Sequence, residues 1–261
     1  MTQGLDLLPT GDLLVHADLA EQALEGLVRA PKYVRTDAAH AVVPTAAVTA
    51  EDGRIAGQLL FGEAFDILFR RAGRAYGRTR RDGVVGWVSE EHLKSGAQSP
   101  AYRVAVLDAD LPFNALVQGD EGLAAEQLVP AGEFEADVAA VAERFMGVAY
   151  QAGSRGSVAV DGLGLIQQAL FACGLAAPRL ASELSRQGRA VDAADIQRGD
   201  LVVWSYPENT HGGHAALILD GQHLIHASEL VGSVVTEQLA DVAAGLSAKG
   251  YAAPVVRRLT L

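Results

Sequence analysis

The stretch Val160 to Gly174, VDGLGLIQQALFACG, most constrains the fold. An Asp followed by small residues and then apolar residues at helical spacing predicts a capped helix. Its Leu165, Ile166, Ala169, Leu170 and Cys173 need a buried surface, and Gly174 supplies its stop. A helix this apolar must lie inside a core, so the segments around it are expected to cover it. The chain of 261 residues, 49% hydrophobic, is long enough for two or three units around such a core.

The segments before this helix change character. Residues 12 to 30 predict a helical leader: Asp18 and Glu21 form a capping-box pattern, Leu19, Ala23, Leu24 and Leu27 give a stripe, and Pro31 stops it. This leader is assigned to residues 1–40. Residues 41–97 carry short β-prone runs separated by turns at Asp52-Gly53, Ala72-Gly73 and Asp82-Gly83, which predicts a small barrel. Six arginines crowd it: Arg70, Arg71, Arg74, Arg78, Arg80 and Arg81. Their first reading is a solvated face, and their second a carboxylate-binding patch. Residues 98–134 hold one clear strand, YRVAVLDA, and are expected to be a linker or a trimmed second barrel.

From residue 135 to 261 the pattern is helices and then strands. Val138, Val141, Ala142 and Phe145 mark a helix ended by Gly147. The strands follow in LVVW, HAALIL, HLIHAS and PVVRRLTL, with a helix at EQLADVAAGL. This order predicts an α+β fold with an antiparallel sheet. A three-residue loop at Asp220 to Gln222 would pair Leu219 with His223 and Ala216 with His226, placing His214 and His226 on one face; a two-residue loop would separate them.

Composition narrows the function. The net charge of -11 disfavours nucleic acid and anionic membrane as partners. One cysteine, Cys173, excludes an intramolecular disulfide, and the first residues lack a signal-peptide pattern, so a cytoplasmic location is expected. His211, His214, His223 and His226 suggest a metal cluster only at first sight. His211 precedes a Gly-Gly turn and His223 alternates off the face of His226, so neither metal nor cofactor is expected.

The ordered set Tyr150, Asp161 with Leu163-Gly164-Leu165, the GDLVVW strand, His214 opening HAALIL and His226 in LIHAS resembles the NlpC-type cell-wall peptidases, a papain-like family of cysteine peptidases. LLFGE, the DGVVGWV turn and EEHL similarly resemble the bacterial SH3-like barrels that accompany them. The resemblance implies a papain-like domain behind a barrel and cleavage of γ-D-glutamyl-diamino acid bonds in murein peptides. It places Gly162 where the nucleophilic Cys belongs, His214 as the base and His226 as the residue that orients it. It also implies that Tyr150, Asp161 and Glu63 face substrate, Asp161 and Glu63 holding a free peptide amine. With Gly162 and Leu163 in place of Cys-Ser, Ala152 in place of Trp, Ser154 in place of Gly, and Val84 in place of Tyr, the reaction itself is not expected. Asp161 then reads first as a helix cap, and Cys173 as a packing residue. The expected role is an inactive homologue that binds a murein peptide or a protein partner, with homo-oligomerisation as a further possibility. The alternatives are a hydrolase using water activated by His214 or by a metal, and a structural module with its cleft filled.

Overall fold

The computed structural model describes residues 13–119, 121–206 and 209–260, with residues 209–211 described by backbone alone. Four α-helices occur among them: α1 Val138–Glu143, α2 Gly162–Ala172, α3 Ala181–Leu184 and α4 Leu239–Ala248.

Every residue of α2 is buried. It packs with α1 against a mostly antiparallel eight-stranded sheet whose central strands are His223–Ser228, Asn209–Ile218 and Leu201–Tyr206. Leu165, Ile166, Ala169 and Leu170 join Val141, Phe145, Leu217 and Ile225 in the main core. Helix α4 covers the opposite face of the sheet, over Trp204, Ile218 and Leu224. Of the two loops the sequence leaves open, the three-residue one forms: Leu219 N–H donates to the His223 carbonyl at 2.9 Å, and Leu217 pairs Ile225. Strand Ser233–Gln238 pairs along the whole of His223–Ser228. The sequence reading assigned its last residues to the following helix, which begins at Leu239 instead.

The barrel is a seven-stranded sheet from Asp37 to Ser95, beginning a few residues before the expected boundary. Ala72 and Gly73 both have positive φ, +52° and +75°, as a two-residue hairpin between Ala64–Arg71 and Arg74–Thr79 requires.

The helical leader is overturned in the described residues. Val15–His16, Leu19–Glu21 and Lys32–Val34 form a small sheet, with one turn of 3-10 helix at Gln22–Leu24. Packing decides this, since Leu14 is fully buried in the barrel's second cluster and His16 stacks against Phe69 and Tyr76. Glu21 pairs with Arg78 instead of closing a capping box. Tertiary contacts of this kind override a local helical stripe.

Residues 98–134, expected to be a linker or a trimmed second barrel, form a small three-stranded sheet with its own core. Tyr102–Val104 is flanked by Leu116–Val117 and Leu128–Pro130 around a core of Val104, Ala115 and Val117. The piece acts as a wedge: buried Asn114 donates through Nδ2 to the backbone and side-chain oxygens of Gln168 on α2, each at 2.8 Å.

Candidate functional site

The N-terminus of α2 is held by Asp161. One carboxylate oxygen accepts from Gly164 N–H at 2.7 Å and the other from Gly153 N–H at 2.8 Å. Arg179 grips both oxygens in a bidentate pair. Asp161 is therefore a helix cap and an ion-pair partner together, with Arg179 already engaging both of its oxygens. Gly164 permits this arrangement, since a Cβ there would lie 2.1 Å from the Ser154 carbonyl oxygen.

Gly162 opens the helix directly beneath His214. A Cβ on Gly162 would stand 2.7 Å from His214 Nδ1 and 2.8 Å from Cε1, so the imidazole occupies the room that a side chain at this position would take. His214 Nε2 and His226 Nδ1 lie 2.8 Å apart with the rings nearly perpendicular. The register set by the three-residue loop thus unites the two histidines. Burial, reinforced by His226 and Lys249 and opposed by Asp161, pushes the His214 pKa down to about 3. Burial also lowers that of His226, against its hydrogen bond to the Glu237 carboxylate, which raises it.

A cavity of about 180 Å³ lies over this pair, lined by Tyr150, Asp161, Gly162, His214, His226 and Tyr251 among others. The Tyr150 hydroxyl is pushed up to about 12 by burial and the charge of Asp161, which keeps it protonated. A second cavity of about 480 Å³ shares Asp161, Leu163, Gly213 and Tyr251 with the first. It continues between the two units, where Arg54, Ile55 and Val84 of the barrel face Gly153 and Arg179. Both cavities together form one cleft running from the histidine pair to the barrel.

Glu63 is not part of that cleft. It is fully buried, with Arg155 on both oxygens, Arg81 on Oε1 at 2.8 Å, and Leu60 N–H on Oε2 at 3.0 Å. Burial alone would raise its pKa, but the two guanidinium groups hold it below the ordinary carboxylate value. The expectation that Glu63 receives a peptide amine is thus corrected: Arg155 already fills the position of a cationic partner. The other barrel arginines are likewise engaged, Arg70 with Asp37, Arg78 with Glu21 and Arg80 with Asp66, while Arg71 and Arg74 lie over Trp87. They do not assemble a free carboxylate-binding patch.

Cys173 caps the far end of α2, and burial with nearby Glu135 pushes its thiol up to about 11, as suits a packing residue. His223 bonds Asp220 beside its loop, away from His226, and the His211 side chain lies outside the described residues.

A helix N-terminus facing a histidine pair on an antiparallel sheet, with a barrel beside the cleft, is a papain-like architecture. Residues 147–245 match the NlpC/P60 family model, and residues 49–93 match the bacterial dipeptidyl-peptidase Sh3 domain model. The chain therefore carries an NlpC/P60 family domain behind an SH3-like domain. An NlpC/P60 family protein from Bacillus cereus ATCC 10987 shares the fold with a TM-score of 0.69 at 15% identity, over 85% of this chain and 99% of that one. NlpC1 from Trichomonas vaginalis aligns at 18% identity and TM-score 0.45, over 87% and 94% of the two chains. The peptidoglycan hydrolase RipB from Mycobacterium tuberculosis aligns at 25% identity and TM-score 0.38, over 48% and 63%. No curated protein matches the chain.

Sequence reasoning missed Arg179 and Glu237. Arg179 follows Pro178 in a loop and meets Asp161 only through the tertiary fold, so no local pattern marks it. Glu237 could have been found by continuing the two-residue alternation of SVVTEQ as a strand.

Proposed function

We propose that this chain is a catalytically inactive NlpC/P60 homologue that binds a murein peptide, or a protein partner, through the cleft between its two units. One observation carries the reading: residue 162, opposite His214 at the start of α2, is a glycine whose side-chain space the imidazole fills. The family reaction needs a thiolate at such a helix start, and the chain's one cysteine lies at the other end of α2 with its pKa raised. The family's substrate class makes murein peptides the first ligand to test. The engagement of Asp161 and Glu63 by arginines argues that a free amine is not the group recognised here.

The test is incubation with L-Ala-γ-D-Glu-diaminopimelate, followed by product analysis and by calorimetric titration. Binding without turnover is the expected result. Reproducible turnover abolished by His214→Ala would overturn the inactive reading, and absence of binding would leave the protein partner as the remaining occupant.

A further inference from the structure

The hydrogen-bond chain continues beyond the histidine pair. His226 lies opposite Val235 in the antiparallel ladder, so Glu237 sits on the same face as its diagonal neighbour. Glu237 Oε2 meets His226 Nε2 at 2.7 Å, and His226 Nδ1 meets His214 Nε2 at 2.8 Å.

Each link fixes the position of one proton. A carboxylate only accepts, so His226 carries its proton on Nε2. Neutral His226 then has a bare Nδ1, which accepts from His214 Nε2–H. Neutral His214 is left with a bare Nδ1. That is the atom 2.7 Å from where a Cβ on Gly162 would stand, and it has no hydrogen-bond partner among the described residues. Without Glu237 the order could run the other way, with His226 Nδ1–H donating to His214 Nε2 and an Nδ1–H facing the cleft. The group at the outer end of the chain therefore decides whether the inner end accepts or donates.

Asp161, Glu229, Asp241 and Lys249 also line the cavity, but among the described residues none hydrogen-bonds to either ring. Among the described residues, Glu237 is the one charged group hydrogen-bonded to the pair. His226 is 5% exposed at its side chain and Glu237 34%, so the carboxylate reaches a buried ring from the cavity rim.

We propose that Glu237 is a positioning residue that fixes the tautomers of both histidines, so that His214 presents a hydrogen-bond acceptor to the cleft at the start of α2. The assignment holds whether the cleft turns a ligand over or only binds it, so its test is independent of the inactive reading.

Long-range proton–nitrogen NMR on ¹⁵N-labelled protein near neutral pH reads the tautomers directly. The wild-type chain is expected to show Nε2–H at both His214 and His226. In Glu237→Met the Nε2–H signature of His214 should be lost or split between the two nitrogens, and Glu237→Gln, whose amide oxygen still accepts, should restore it. Urea unfolding of the same samples separates the roles, because a purely structural contact would move the midpoint and leave the tautomers alone. A proton on His214 Nδ1 in the wild-type chain, which needs no variant to detect, would overturn the proposal; so would wild-type tautomers in a folded Glu237→Met protein.

Discussion

At Gly162 the packing of a single imidazole governs what the site can do. A side chain added there meets His214 at 2.7 Å, and the ring is tied back through His226. Gly162→Cys should therefore lower stability by about 1–3 kcal/mol, the usual range for overpacking, measured by urea denaturation. Its thiol would stand against the bare side of His214 at a helix N-terminus, whereas the Cys173 thiol is pushed up to about 11. Iodoacetamide at neutral pH should label residue 162 in the native protein and spare Cys173, with His214→Ala slowing that labelling about tenfold. Mass spectrometry of the labelled peptides checks both. The pH dependence follows from the same ring. Its folded pKa of about 3 lies below the ordinary 6.5, so between these values the unfolded chain binds the proton more readily and stability falls as pH drops. The urea midpoint should fall more steeply across that window in the wild-type chain than in His214→Gln. Parallel curves would mean that the ring is not held neutral by the fold.

The helix start and the strands facing it were legible in the sequence because their signals are local. Asp161 caps as its position predicts, Cys173 is a packing residue, and the three-residue loop fixes the register that joins His214 to His226. What lay beyond reach was set by distant partners: Arg179 on Asp161, Arg155 on Glu63, and the barrel aromatics that pull His16 and its neighbours out of a helix. These contacts join residues whose sequence gives no reason to seek each other. The cap itself makes a prediction at this scale. Asp161→Asn keeps an acceptor for Gly164 N–H but removes the charge facing Arg179, while Asp161→Ala removes both. Loss of a buried ionic partner costs about 3–5 kcal/mol, and loss of a cap about 1 kcal/mol more. Urea unfolding should rank wild type above Asp161→Asn and Asp161→Ala last.

Across the whole molecule, the barrel and the NlpC/P60 domain are joined by buried charge. Arg155, from the loop before α2, donates to Glu63 and to the Gln58 carbonyl of the barrel, and Gln167 of α2 donates to Asp82 at 2.9 Å. Glu63→Gln should destabilise the protein by about 3–5 kcal/mol by leaving Arg155 short of a counter-charge, and adding Arg155→Met should recover much of that loss. A double-mutant cycle by urea unfolding measures the coupling, and additive effects would show that the pair does not join the units.

That junction also bears on how fast the cleft can fill. The walls around Arg54, Val84, Gly153 and Arg179 come from both units, and parting them would take the buried Arg155 away from its barrel partners Glu63, Asp82 and Gln58. A ligand entering such a cleft has no slow opening step to wait for. Its observed association rate should rise linearly with ligand concentration and show no plateau, the behaviour of a preformed slot whose filling is limited by encounter and orientation.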